Sequence, residues 1–152
     1  MKFSFKNDYS EGCHPKILEA LSQYNLDQQN GYGLDIYSEN VANIIREKSK
    51  SPESKAHLVS GGTQANLIVI SSILRPHESV VSANTGHIFT NETGAIEATG
   101  HKVHGVETKD GKLRPEDIQN VLDVHTNVPH QVKQKLVYIS NSTEVGTIYT
   151  KK

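Results

Sequence analysis

The sequence predicts an α/β fold, a mainly parallel sheet with helices on both faces, and three observations lead there. From residue 56 onward, short apolar runs alternate with longer stretches of helical periodicity, the order expected of βαβ units. The segments that follow the apolar runs are built of small polar residues: "SGGTQ" at 60–64, "ANTGH" at 83–87 and "SNSTEVG" at 140–146. A chain of 152 residues, 35% hydrophobic and 22% charged, holds enough apolar material for the core of one domain or part of one.

Each element has its own justification. His14-Pro15 opens a first helix, because proline suits a first turn and Ile17, Leu18, Leu21 and Tyr24 recur at helical spacing. Gly31 and Gly33 mark irregular backbone, after which Ser38 is expected to cap a second helix, with Val41, Ile44 and Ile45 as its inner face, running to about Lys48. The polar stretch 47–56 reads as a loop. Then come a strand at 56–60, a helix at 63–74, a strand at 79–83, a helix at 88–100 and a strand at 102–107. The turn "KDGK", an acid-started helix at 114–124 and a strand at 135–140 complete the series. Two parts are expected: a helical segment over 1–50 and an α/β part over 51–152.

Several function classes fall away on composition. A net charge of -1 with scattered lysines and arginines does not suit a nucleic-acid partner. The longest apolar run, 67–74, is far short of the roughly 20 residues a bilayer span needs, and the N-terminus lacks a signal peptide's apolar stretch, so no membrane is expected. Cys13 is the single cysteine, which excludes an internal disulfide framework and points to the cytoplasm.

In open parallel sheets, ligands sit beyond the carboxyl ends of the strands, where loops feed helix N-termini. The turn Gly61-Gly62-Thr63 lies at such a place. Helix N-termini present unpaired N–H groups and partial positive charge, and glycines let an anion approach the backbone, so a phosphate is one reading of this turn. A tight turn with Thr63 as a plain N-cap is the other. Neither common nucleotide fingerprint fits. His87, at the mouth of the second strand, could stack on a flat aromatic group or simply cap and pack.

Taken in order, "FKNDYSEGCHPKILEAL", "GYGLDIYS", "LVSGGTQANL", "GHIFTNETGA", "DGKLRPEDI" and "LVYISNSTEVGTIY" resemble the threonine aldolase and β-eliminating lyase group of pyridoxal-phosphate enzymes, specifically its low-specificity L-threonine aldolase branch. The resemblance implies a fold of the aspartate-aminotransferase type, pyridoxal 5'-phosphate as cofactor, and a homodimer or homotetramer with active sites shared between subunits, residues 1–50 including a dimer-contact arm. It implies that Gly62 and Thr63 bind the phosphate, with Gly61 allowing close approach, and that His87 stacks on the pyridine ring and is the catalytic residue present. Asn7 and Asp8 match the stretch that holds the substrate; Tyr37, with Asp35, matches a piece near the neighbouring subunit's site. Glu92 falls at a position acidic in the family, with no definite role assigned.

The chain departs from the family pattern in three places. Asn7 stands where many members have serine. "SNST" stands where others carry "ENTH", placing Thr143 at the position of a histidine near the substrate hydroxyl. Pyridoxal phosphate also requires a Schiff-base lysine and an acidic partner at its ring nitrogen, and in the family both lie downstream of the strand ending here at Tyr149. None of the 13 lysines has the small-residue setting of such a group. The sequence therefore reads as the N-terminal part of a lyase that cleaves a β-hydroxy-α-amino acid to glycine and an aldehyde, inactive by itself. Two alternatives stay open: β-elimination, of the carbon-sulfur or tyrosine phenol-lyase kind, and a non-catalytic phosphate-binding domain.

No metal site is expected. His101 and His104 are three residues apart on a strand, which points them to opposite faces. His125 and His130 lie in a polar connection. Cys13 and His14, as neighbours, seldom face each other, and nothing orients the base. The sequons at 91–93 and 141–143 carry no meaning without a secretion signal.

Overall fold

The structure, a computed structural model, describes residues 10–151. The chain divides after Leu58 into two compact units, each described by itself.

The first unit holds α1 (Pro15–Tyr24) and α2 (Ile36–Ser49). In α1, Pro15 occupies the first turn and His14 caps it, its Nδ1 accepting the Lys16 N–H at 3.2 Å. The cap of α2 is Asp35, not Ser38. The Asp35 carboxylate accepts from the Ser38 amide at 2.7 Å and from its hydroxyl at 2.6 Å, so the helix starts earlier and Ser38 becomes its third residue. These bonds, the Ser38 hydroxyl's foremost, hold the Asp35 carboxyl below its ordinary range. Lys50, left-handed at φ 53, ends α2 by donating its N–H to the Arg46 and Glu47 carbonyls. Residues 56–60, expected as a strand, form none. A strand needs a ladder partner, and among the described residues these five have none.

The second unit is a three-stranded parallel sheet in the order β2-β1-β3, with β1 Glu78–Ala83, β2 Val103–Val106 and β3 Lys133–Val137. Val80 pairs with Val103 and Ala83 with Val106; Glu78 pairs with Lys133 and Val81 with Val137, with an irregularity between Ser79 and Val80. The central strand β1 is buried along its whole length, as a parallel strand covered on both faces must be. On one face Val80 packs with Ile70, Leu74, Ile88, Ile96 and Val103. These come from α3 (Gly62–Ile73), its C-cap, the short helices α4 (His87–Thr90) and α5 (Ala95–Ala98), and, for Val103, the neighbouring strand β2. On the other face Val81 and Ala83 pack with Leu113, Val106 and Val121, the last on α6 (Pro115–Val124). Each buried aliphatic side chain contributes about 1.5–3 kcal/mol by leaving water. Gly105 lets the Phe89 ring lie against the sheet, since a Cβ there would sit 2.5 Å from the ring.

The single helix expected over 88–100 is two short ones. Thr93 (φ 51) and Gly94 (φ 78) take left-handed backbone and break it, leaving Glu92 in the bend with its side chain fully buried. The sheet strands otherwise fall within two residues of the expected starts.

The histidines of β2 and its approach serve the packing. His101 Nδ1 lies 3.2 Å from the Glu78 carbonyl oxygen, and His104 Nε2 lies 3.1 Å from the Ser79 hydroxyl, its ring edge-on to His125 at 4.6 Å. Burial, with the charges of Lys102 and His125, pushes the His104 imidazole from the ordinary 6.5 down to about 4. The folded protein thus keeps His104 neutral where the unfolded chain would protonate it. Stability from this group is complete above pH 6.5 and is lost as pH falls toward 4. After allowance for solvent screening, the loss is about 1–2 kcal/mol. Urea unfolding at pH 7 and pH 4.5 should show this decline, and His104→Gln should flatten it.

Candidate active site

The turn that leads into α3 leaves backbone donors open, as an anion site would require. Gly61 is extended, Gly62 begins α3, and no side chain caps the helix. The Ala65 N–H closes the first turn on the Gly61 carbonyl at 3.1 Å, while the amides of Gly62, Thr63 and Gln64 have no acceptor among the described residues. The turn is held from outside that cradle: Gln64 Oε1 accepts the Ser60 amide at 2.7 Å and its hydroxyl at 2.9 Å. A Cβ at Gly61 or Gly62 would meet nothing within 4 Å, so the surroundings of these two residues are uncrowded. Unpaired N–H groups at the positive end of a twelve-residue helix, beside the Thr63 hydroxyl, fit a phosphate group.

A chain of contacts links this turn to His87. Asn66, just past Thr63 on α3, donates its Nδ2 to Glu92 Oε1 at 2.8 Å, and that oxygen lies 3.8 Å from His87 Nε2. On the imidazole's other edge, Glu144 Oε1 approaches Nδ1 at 3.4 Å from the loop after β3. Both ring nitrogens therefore face carboxylates, while the side chain stays 42% exposed. A part-exposed imidazole flanked by carboxylates has room to meet a flat ring such as a pyridine. Among the described residues, Glu92 Oε2, Asn84 Oδ1, Thr85 Oγ1 and Thr108 Oγ1 are buried without hydrogen-bond partners, and the first three lie on the segment that carries His87, where a polar ligand group could satisfy them.

The structure thus brings Gly61, Gly62, Thr63 and His87 into one connected arrangement. Tyr37 lies in the first unit, where its hydroxyl donates to Asp27 at 2.5 Å; that bond raises it to about 12. Asn7 and Asp8 lie outside the described residues. Thr143 is buried and occupied: its hydroxyl meets that of Thr147 at 2.8 Å, and Thr147 donates on to the Asp110 carbonyl at 2.6 Å. Three participants escaped sequence reasoning. Gln64 and Asn66 carry a signal in hindsight, being amides on the first turns of the helix; Glu144 carries none, because nothing local ties it to His87. A cavity of about 810 Å³ lies elsewhere, within the first unit beside Tyr32, Asp35, Arg46 and His57.

Known proteins resemble this chain over nearly all of its length. Two low specificity L-threonine aldolases, from Pseudomonas aeruginosa and from another Pseudomonas strain, are 27% and 29% identical over 147 residues, which is 95% of this chain and 42% of each relative. A solved structure described as Leishmania major threonine aldolase is 52% identical, with a TM-score of 0.89 over 94% of this chain and 42% of that one. The chain therefore spans less than half the length of these relatives. The family described as beta-eliminating lyase matches residues 8–152, nearly the whole sequence. The chain belongs to this family of lyases, which work with pyridoxal phosphate.

Proposed function

We propose that this chain supplies the cofactor-anchoring part of an aldolase that cleaves a β-hydroxy-α-amino acid of the threonine type to glycine and an aldehyde. The observation that carries the reading is the open cradle of Gly62 and Thr63 amides joined through Asn66 and Glu92 to an edge-braced His87. The 52% identity to a threonine aldolase supports the substrate class.

Pyridoxal phosphate, when bound, supplies an electron sink for the pair released as the Cα–Cβ bond breaks. The chain's own residues orient. The amides of Gly62 and Thr63 and the Thr63 hydroxyl hold the phosphate, with Gly61 admitting it. His87 would lie against the cofactor's ring and help orient it for the cleavage. Asn7, Asp8 and Tyr37 hold the amino-acid substrate, the last across a homodimer or homotetramer interface to which residues 1–50 contribute, in a cytoplasmic enzyme. The α/β part from residue 51 carries the cofactor.

None of the described lysines is buried; Lys112, the most enclosed, pairs with Asp110 at 3.4 Å. The 152-residue chain is therefore expected to bind the cofactor without an absorbance band from a lysine linkage, and without turnover. The function itself is tested on a full-length enzyme carrying this sequence. Acetaldehyde and glycine from L-threonine support the aldolase. Ammonia and pyruvate from cysteine or tyrosine, with threonine untouched, would replace it by β-elimination, a reading that the occupied Thr143 hydroxyl keeps in view.

A further inference from the structure

We propose that Glu144 is a positioning residue that sets the His87 ring, an assignment that rests on His87 being the face presented to the cofactor. The two residues come from different segments at the same end of the sheet, His87 from the start of α4 after β1 and Glu144 from the loop after β3. Their atoms approach at 3.4 Å, Glu144 Oε1 to His87 Nδ1. Glu92, the other carboxylate, stands 3.8 Å from Nε2, beyond hydrogen-bond reach, and its Oε1 already accepts from Asn66. The Glu144 contact is the closer of the two. It controls the ring edge that Glu92 leaves free.

An exposed carboxylate near a histidine is ordinarily a weak, mobile pair. Here the loop that carries it is tied down. The Thr143 N–H donates to the Thr147 carbonyl at 2.8 Å, and the Gly146 N–H returns to the Thr143 carbonyl at 2.9 Å. The Thr147 N–H donates to Thr143 Oγ1 at 3.1 Å, and the Thr147 hydroxyl reaches across to Asp110. Gly111, left-handed at φ 74, packs beneath the loop where a Cβ would meet Val145 at 2.9 Å and Thr143 at 3.1 Å. Ser140, at the foot of the loop, directs its hydroxyl to Glu144 Oε1 at 3.4 Å. The buried Thr143 thus serves as the anchor that aims its neighbour at the imidazole.

The test reads the ring directly. In ¹⁵N-labelled protein without ligand, the His87 ring nitrogens are assigned with a His87→Gln variant and compared in wild type, Glu144→Gln, Glu144→Ala and Glu144→Asp. Glu144→Gln and Glu144→Ala should move the Nδ1 resonance, and Glu144→Asp should keep part of the wild-type position, with backbone amides elsewhere unchanged. Pyridoxal phosphate affinity should fall about fivefold in Glu144→Gln. An Nδ1 resonance that stays in place in Glu144→Gln and Glu144→Ala overturns the assignment. Failure of the functional reading looks different: the ligand-free resonance moves on substitution, yet added pyridoxal phosphate leaves the wild-type His87 ring unperturbed.

Discussion

Alanine at Gly86 is expected to destabilise the second unit by about 2–4 kcal/mol, lowering its thermal midpoint by on the order of 10 °C. The reason is steric. The backbone at Gly86, φ -65 and ψ 145, is open to any residue, but a Cβ built there sits 2.2 Å from Ser82 Oγ and 3.0 Å from the Ala83 carbonyl oxygen. Ser82 is fully buried in the central strand, so its hydroxyl has little room to turn aside. The Gly86 N–H closes a turn on Ala83 at 2.8 Å and its carbonyl accepts from Phe89 and Thr90, which ties any shift to the start of α4. His87 is the next residue and would be carried with it. A melt by circular dichroism decides the point, with Gly12→Ala, whose added Cβ meets nothing within 4 Å, as control. Equal midpoints for the two variants would contradict the packing described.

Substitutions in the proposed phosphate cradle should behave in the opposite way. Thr63→Val removes one charge-assisted hydrogen bond, worth about 1.5–3 kcal/mol, and should weaken pyridoxal phosphate binding roughly 10- to 150-fold. Gly62→Val adds bulk beside the amides and should cost at least as much affinity. Neither change meets resistance in the fold, because a Cβ at Gly62 contacts nothing and the Thr63 hydroxyl bonds no protein atom among the described residues. Gly62→Ala, inside the first turn of α3, should raise stability by about 0.4–1 kcal/mol through the unfolded chain. Affinity that collapses while stability holds separates a ligand site from a structural turn. Fluorescence titration with pyridoxal phosphate and urea unfolding of the same variants measure the two quantities.

Much of the second unit was legible because its signals are local. Apolar runs separated by caps and turn residues located β1, β2, β3, α3 and α6, and small polar residues marked the carboxyl ends of the strands. The reading failed where partners or backbone chirality decide. Residues 56–60 have a strand's composition, but pairing is a property of the neighbour as well as of the segment. Thr93 adopts left-handed backbone that its side chain disfavours, and no periodicity announces that break within 88–100. Asp35 displaced Ser38 as the cap because its carboxylate reaches both the amide and the hydroxyl. The same division holds at the site. The glycine-threonine turn could be read from its residues, whereas the bond from Asn66 to Glu92, 26 residues apart, and the approach of Glu144 to His87 arise only from the sheet's topology.

The central claim is that free amides at the head of α3 grip a phosphate whose attached ring lies against His87. It is tested most directly by titrating ¹⁵N-labelled protein with pyridoxal phosphate and, separately, with pyridoxal. The account predicts that the Gly62 and Thr63 amides move with the phosphorylated compound alone, while the His87 ring responds to pyridoxal phosphate and more weakly to pyridoxal. Perturbations confined to other parts of the chain, such as the cavity beside Tyr32 and Arg46, would contradict it.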